Sequence, residues 1–120
     1  MSKHNIVHIE IPTRNGAESG KFFKDLFGWK ISHDEKMDYT MWEPEAEPGG
    51  GFNNIGEHTK AGEVLIYVDS SDIDADLKKA EKLGGKIVTP KMEITGVGWF
   101  GTFKDPSGNT IALFTALNPR

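Results

Sequence analysis

The chain has 120 residues, a formal net charge of −4 at pH 7 and no cysteine, which excludes disulfides and thiol chemistry. A chain of this size buries roughly two thirds of its unfolded surface, so one domain can form a core without cross-links. Lysines scattered among acidic residues argue against a nucleic-acid partner. No apolar run reaches the roughly 20 residues of a membrane span, and Met1 leads into a strand pattern without a leader segment, so we expect no membrane partner and a cytoplasmic location.

The first half of the chain predicts a strand, a helix and three further strands. Apolar residues at every second position over 5–12 are typical of a half-buried strand. Apolar residues at helical spacing predict a helix over about 16–27, and Gly28 can end it in a left-handed conformation. The next strands are predicted at 29–32, 39–43 and 52–55.

The second half predicts the same order of elements. A strand is expected at 64–69, followed by a helix that Ser71 or Asp72 caps and that ends near Leu83. Aspartates crowd the start of this helix and lysines its end, which suits the helix dipole. A turn containing proline and glycine at 105–109 separates the last two strands. The three strands of this half are expected at 86–89, 99–104 and 110–115.

The two halves read as copies of one module, related by the fixed sequence step that carries position 28 to position 85. The matched pairs are Gly28 with Gly85, Trp42 with Trp99, and the turn at 48–51 with the turn at 105–108. Self-similarity at a fixed step is typical of a repeated structural unit. We therefore expect a single α+β domain over 1–120, built of two βαβββ modules at about 5–56 and 63–116. Two such modules should pack together and leave a cleft for a ligand.

The chain resembles the vicinal oxygen chelate superfamily, which includes glyoxalase I, bleomycin-resistance proteins and fosfomycin-resistance enzymes. The similar segments are His-Ile-Glu-Ile-Pro at 8–12, Phe-Phe-Lys-Asp-Leu-Phe-Gly-Trp at 22–29, the stretch at 72–86, and Gly-Trp-Phe through Asp-Pro-Ser-Gly-Asn at 98–109. The chain is most similar to small proteins described as related to lactoylglutathione lyase. The resemblance implies two βαβββ modules that curl around a concave site, and a homodimer.

Metal-dependent members of that superfamily take their ligands from the first and last strands of each module. The corresponding positions in this chain are His8, Ile55, Leu65 and Ala112. A catalytic zinc site needs about three protein ligands, and aliphatic side chains offer no lone pairs. A register shifted by two residues would bring in Glu63, and Asn53 could replace Ile55, but Ala112 has no acidic neighbour to replace it. We therefore expect no metal and no other cofactor.

His8 and Glu10 are the candidate catalytic residues. They lie two apart on one strand and so share a face, with Cα atoms about 6.5–7 Å apart. Facing the cleft, they could act as base and acid on a small substrate; the alternative is a structural pair. The candidate substrate-binding residues, whose alternative is a purely structural core, are Phe52, Leu65, Tyr67, Trp99, Ala112 and Phe114.

Three other features favour structural interpretations. The run Gly49–Gly51 precedes a strand rather than a helix, so it indicates a turn and not a phosphate loop. Trp42 and Trp99 are matched by the repeat and could flank the cleft symmetrically, but we favour packing at the sheet edge or the dimer contact, and Trp99 stays a candidate for the cleft. The remaining histidines are expected in solvated terminal or loop segments and are His4, His33 and His58.

Two functions fit these observations. The first is a glyoxalase-like enzyme without the usual metal, with a lyase- or isomerase-like activity on a small carbonyl or hydroxyl compound. His8 and Glu10 would exchange protons with it, and Tyr67 or backbone amides would polarise its oxygen. The second is a binding or sequestering protein similar to bleomycin-resistance proteins, which needs the apolar lining but not His8. Both functions imply a small-molecule ligand as the partner.

Overall fold

The computed structural model of the chain describes residues 4–43, 48–57 and 59–117. Along the chain the elements are β1 (Ile6–Thr13), α1 (Gly16–Phe27), β2 (Lys30–Asp34), β3 (Tyr39–Glu43), β4 (Gly49–Asn54), β5 (Leu65–Asp69), α2 (Ile73–Lys82), β6 (Lys86–Ile94), β7 (Gly98–Lys104) and β8 (Thr110–Ala116). Each half therefore has the order strand, helix, three strands, and the predicted α+β class with two βαβββ modules is confirmed. Neither described helix combines the length and apolarity that crossing a bilayer requires.

The chain divides into two compact units. Residues 7–65 form the first unit, and the described residues on either side of that range form the second. We call them the N-terminal and C-terminal modules. Apart from their boundary residues, the predicted modules at about 5–56 and 63–116 lie one in each unit.

In the N-terminal module the strands are ordered β2-β3-β4-β1, and β1 runs parallel to β4. Helix α1 covers one face of this sheet through an aromatic cluster, in which the ring of Phe23 stacks on Phe52 at 5.8 Å and on Trp29 at 5.1 Å between centroids. Trp42 extends the cluster, with its ring 5.4 Å from that of Phe52. Ile11 of β1 pairs with Phe52 and so faces α1. Because neighbouring residues of a strand point to opposite faces, His8 and Glu10 lie on the face that α1 does not cover.

In the C-terminal module the strands are ordered β5-β8-β7-β6, and β5 runs parallel to β8. Helix α2 buries Ile73 and Leu77 against Leu113 of β8, and these three residues form the centre of the core. Strand β6 continues past the predicted end at 89, and it tolerates Pro90 because it lies at the edge of the sheet and its register with β7 shifts between Thr89 and Met92.

The joint between the first strand and the helix is built in the same way in both modules. The matched residues, related by the same step as Gly28 and Gly85, are Thr13 and Ser70, Asn15 and Asp72, and Ser19 and Asp76. The hydroxyls of Thr13 and Ser70 accept the backbone N–H of the helix cap at 3.0 and 3.3 Å. The same hydroxyls bond to a side chain in the first turn of the helix, at 2.6 Å in both modules. The predicted cap at position 72 is confirmed, since Asp72 accepts the N–H of Ala75.

The sequence step between the halves does not extend to the last strand of each module. Glu10 pairs with Gly51, whereas Tyr67, the counterpart of Glu10 at that step, pairs with Ala112. The counterpart of Gly51 in the ladder is therefore Ala112, and not the Gly108 that the step assigns to it. The interpretation of Gly49–Gly51 as a turn is wrong, because all three glycines are ladder residues of β4.

Candidate active site

A hydrogen-bonded chain of three side chains lies on the face of the N-terminal module opposite α1. The phenol oxygen of Tyr39 is 2.8 Å from His8 Nε2, and the same hydroxyl donates to Glu10 Oε2 at 2.8 Å. The imidazole and phenol rings are tilted by 34° with centroids 6.2 Å apart. His8 and Glu10 thus share a face as predicted, and Tyr39 connects them.

Tyr39 reaches β1 from β3 because Gly51 makes room in β4, the strand between them. A Cβ atom at Gly51 would overlap the ring of Tyr39, which therefore passes directly over this position of β4. On the other face, a Cβ atom at Gly50 would overlap the ring of Trp42 and the backbone of β1. The glycine run in β4 thus lets one aromatic ring cross the strand on each face.

The electrostatic setting of His8 favours the neutral imidazole. Burial of the ring lowers the pKa of His8 below its ordinary value, and the nearby negative charge of Glu10 opposes this shift only in part. A neutral imidazole is the form that can accept a proton from a substrate, so His8 meets the first requirement of a general base near neutral pH.

Asn53 lies on the same face, two residues beyond Gly51 along β4 and opposite Pro12 of β1. Its side-chain oxygen is buried and accepts no hydrogen bond from any residue in the described part of the chain. A buried acceptor without a donor costs roughly 1–3 kcal/mol, so Asn53 is a candidate contact for a hydrogen-bond donor of a ligand.

Tyr39 was not predicted as a site residue from the sequence. Its own strand was predicted correctly at 39–43, but the contact with His8 depends on the order β3-β4-β1 and on the register of β4. The run of glycines at 49–51 was the available signal, because a strand without side chains indicates the close approach of another group.

The predicted lining residues of the C-terminal module share one face of its sheet. Tyr67 pairs with Ala112 in the ladder, and the ring of Tyr67 meets the ring of Phe114 edge to face, with centroids 6.5 Å apart and an angle of 85°. Leu65 lies two residues before Tyr67 on β5 and so points to the same side. Ala112 has no exposed surface, so its methyl group contacts protein rather than solvent.

Phe52 and Trp99 lie elsewhere than expected. Phe52 is 3% exposed and stacks on Phe23 of α1, on the side of the sheet away from His8. Trp99 packs against the buried cluster under α2, with Lys91 Nζ 5.7 Å from its ring centroid. Both side chains thus pack in the aromatic and aliphatic cores of the modules, and their assignment as substrate-binding residues stays a prediction.

The residues present do not fit the metal that the superfamily resemblance implies. The ladder register replaces Ile55 by Gly51 as the position that corresponds to Ala112, so the four positions hold His8, Gly51, Leu65 and Ala112. One imidazole, whose Nε2 already bonds to Tyr39, is the single donor side chain among them. Within residues 4–43, 48–57 and 59–117, no three His, Asp or Glu side chains lie close enough to hold a metal ion.

The other histidines have mixed outcomes. His33 lies in β2 rather than in a loop, with Nδ1 3.0 Å from Thr40 Oγ1 and Nε2 3.2 Å from Asp38 Oδ1. An open cavity of about 400 Å³ adjoins these groups and the first turn of α1. His4 pairs with Asp76 at 2.9 Å, and the prediction for His58 lies outside the described residues.

The comparisons with known proteins agree with this architecture. The sequence profile of the Glyoxalase/Bleomycin resistance protein/Dioxygenase superfamily matches residues 5–113, and the chain belongs to this superfamily. Anthracycline biosynthesis protein DauV from Streptomyces sp. (strain C5) is 27% identical to the chain, over 82% of the chain and 42% of that protein. The chain thus spans less than half the length of the curated relatives it matches.

Solved structures share the fold at low sequence identity. Methylmalonyl-CoA epimerase from Mycobacterium tuberculosis superimposes with a TM-score of 0.72 at 13% identity, over 98% of this chain and 90% of that one. A glyoxalase/bleomycin resistance protein/dioxygenase superfamily member from Vibrio splendidus 12B01 gives a TM-score of 0.67 at 14% identity, over 94% and 99% of the two chains. The predicted glyoxalase-like fold is therefore confirmed.

Proposed function

We propose that the protein is an enzyme that moves protons on a small carbonyl or hydroxyl compound without a bound metal. The observation that carries this proposal is the hydrogen-bonded chain of His8, Tyr39 and Glu10, with 2.8 Å contacts on both sides of the phenol. An imidazole whose pKa is lowered by burial and a carboxylate on the same face supply a base and a proton acceptor or donor.

The donor set supports the metal-free form of this proposal. Where metal-dependent relatives place four ligands, this chain offers one imidazole, so a Lewis acid has nothing to hold it at these positions. Activation of the substrate then rests on hydrogen bonds. Asn53, with its buried side-chain oxygen, is suited to accept a hydrogen bond from a hydroxyl group of the substrate.

The experiment is hydrogen exchange at carbon. Untagged protein is incubated in D2O with a chelator and a panel of hydroxyketones, hydroxyaldehydes and 2-substituted thioesters, and loss of the proton next to the carbonyl is followed by NMR. We expect at least one compound to exchange, and His8→Gln to slow the exchange by about 10²-fold or more. Exchange that appears only after a divalent metal is added would refute the metal-free proposal.

The second candidate function is binding without chemistry. The edge-to-face pair of Tyr67 and Phe114 favours it, because such a pair can pack against a planar apolar ligand. The similarity to a protein named for anthracycline biosynthesis suggests an anthracycline as the probe. This candidate predicts that Phe114→Ala weakens anthracycline binding while His8→Gln does not, measured by fluorescence titration.

The homodimer and the cytoplasmic location stay proposals. The homodimer rests on the superfamily resemblance, and light scattering coupled to gel filtration would test it. A mass of one chain of 13.3 kDa at micromolar concentration would contradict it. The location would be tested by fractionation of the source cells.

A further inference from the structure

We propose that Tyr39 is a proton relay between His8 and Glu10, which allows His8 to remove a proton from a substrate without becoming an imidazolium. This inference rests on the proposed proton-transfer function and assigns a direction to each hydrogen bond in the chain. Tyr39 would then be part of the reacting unit, and Gly51 the residue that positions it.

The direction of the two hydrogen bonds follows from the chemistry of the phenol. A phenol carries one proton, and Tyr39 donates it to Glu10 Oε2 at 2.8 Å. At the 2.8 Å contact with His8 the phenol oxygen must therefore accept, so Nε2 of the imidazole carries the proton. In that tautomer Nδ1 is the basic nitrogen of the neutral ring.

The relay consists of three proton transfers, and the imidazole is neutral before and after them. The C–H bond next to the substrate carbonyl breaks, its electron pair forms the enolate, and the proton goes to His8 Nδ1. The proton on Nε2 passes to the phenol oxygen of Tyr39, whose own proton passes to Glu10 Oε2. The products are an enolate, a neutral imidazole, a neutral phenol and a carboxylic acid, and the reverse steps return the proton to carbon.

The relay has a physical advantage at this site. Burial of His8 disfavours its charged form, which is why its pKa is lowered. A base that kept the proton would place an imidazolium in this buried setting, at a cost that adds to the barrier of the reaction. Passing the charge change to Glu10 avoids that cost.

Gly51 positions the relay because it has no Cβ atom. The ring of Tyr39 crosses β4 over Gly51, where a Cβ atom would overlap it. The substitution Gly51→Ala leaves His8 and Glu10 on β1 but forces the phenol away from them. It therefore breaks the relay without removing any of its three polar side chains.

The first test needs no substrate. In 15N-labelled protein near neutral pH, long-range 1H–15N spectra report the tautomer of each of the four histidines, and His8→Gln identifies the signals of His8. We expect the tautomer with the proton on Nε2 in the wild type. We expect the His8 signals to change in Tyr39→Phe and Gly51→Ala and to stay unchanged in the control Gly56→Ala, where an added Cβ meets no atom within 4 Å. The relay would be refuted if His8 carries its proton on Nδ1 in the wild type, or if the His8 signals are the same in the wild type and in Tyr39→Phe.

The second test uses whichever hydroxyketone exchanges its carbon-bound proton in the panel described above. We expect Tyr39→Phe to lower the exchange rate by about 10²-fold, and the rate in H2O/D2O mixtures to curve in the wild type but to become linear in the variant. Equal rates in both proteins would refute the relay even if the enzyme is active. If the Nε2 tautomer is present but no compound exchanges, the proposed function fails while the hydrogen-bond directions stand.

Discussion

Whether Tyr39 can cross β4 depends on a single methyl group at position 51. We expect Gly51→Ala to lower the free energy of unfolding by about 1–3 kcal/mol, because the added Cβ displaces the ring of Tyr39 and breaks its hydrogen bonds to His8 and Glu10. Urea denaturation measures this change. Gly56→Ala is the control, since a Cβ there meets no atom within 4 Å, and it should change stability by less than about 0.5 kcal/mol. Equal effects of the two substitutions would show that the ring does not lie over Gly51.

His8 makes the stability of the protein depend on pH. Burial lowers the pKa of His8, so below about pH 6.5 the unfolded chain binds a proton at this position before the folded chain does. Stability should therefore fall as the pH falls below about 6.5. His8→Gln lacks this contribution, and unfolding of both proteins at several pH values should show the wild type losing its relative stability toward acid. A constant difference between them would contradict the lowered pKa.

The candidate site was predictable from the sequence only in part. The alternation of β1 placed His8 and Glu10 on one face, because a strand repeats every two residues. Tyr39 was not predictable in this way, since its contact with them depends on which strand lies between β3 and β1. The packing of Phe52 and Trp99 under the helices was not predictable, because sequence alternation does not say which face of a sheet a helix covers.

At the scale of single elements, the helix caps are the first quantity to test. We expect Asp72→Ala to cost about 0.5–2 kcal/mol, because the carboxylate accepts the N–H of Ala75 at the start of α2. Asp74→Ala removes an acidic residue from the same turn without removing the cap, and should cost a few tenths of a kcal/mol. Thermal unfolding distinguishes the two. Equal losses would mean that charge, and not the hydrogen bond, sets the start of α2.

At the contact between helix and sheet, the small residue lies on the helix in the N-terminal module and on the sheet in the C-terminal module. In the N-terminal module a Cβ atom on Gly20 would lie 3.3 Å from the side chain of Thr40. The helix therefore has no side chain at this contact, and the strand has the larger residue. In the C-terminal module Leu77 of α2 corresponds to Gly20, and the facing strand residue is Gly101. A Cβ atom on Gly101 would lie 3.2 Å from Leu77 Cδ1. The modules share a plan but each packs its own core.

This packing predicts which residues of α2 lower the stability of the protein when they are replaced by alanine. Leu77 is 3% exposed at the centre of the core, and we expect Leu77→Ala to lower stability by about 2–5 kcal/mol. Leu83, which is 72% exposed, is the matched control and should tolerate alanine within about 0.5 kcal/mol. Chemical denaturation of both variants gives the comparison. A small loss at position 77 would contradict the placement of α2 on its sheet.

The elements were predicted well where side chains carry a pattern. Helix α1 begins and ends as predicted, because Asn15 caps it and Gly28 takes a φ of 74° beyond its last residue. The start of β4 was missed, since glycines have no side chains to alternate. The fixed sequence step failed for the last strand of each module, because the ladder matches Gly51 with Ala112 and not with Gly108.

At the scale of the whole molecule, duplication explains the fold, and divergence between the copies explains the candidate site. The joints between the first strand and the helix repeat bond for bond, from Thr13 and Ser19 to Ser70 and Asp76. The facing ladder positions do not repeat: the pair of Glu10 and Gly51 in one module corresponds to Tyr67 and Ala112 in the other. The proposed acid and base residues therefore lie in the N-terminal module, and the C-terminal module has the aromatic pair of Tyr67 and Phe114 on the corresponding strands.

The most direct test of this account is ligand binding with and without metal. Thermal unfolding of wild type and His8→Gln is measured with small carbonyl and hydroxyl compounds, in chelator and with added zinc, manganese, nickel or magnesium. A ligand at 100 times its dissociation constant adds about 2.7 kcal/mol of stability. The account predicts that a ligand stabilises the wild type in chelator and stabilises His8→Gln less. Stabilisation that requires a metal would contradict it.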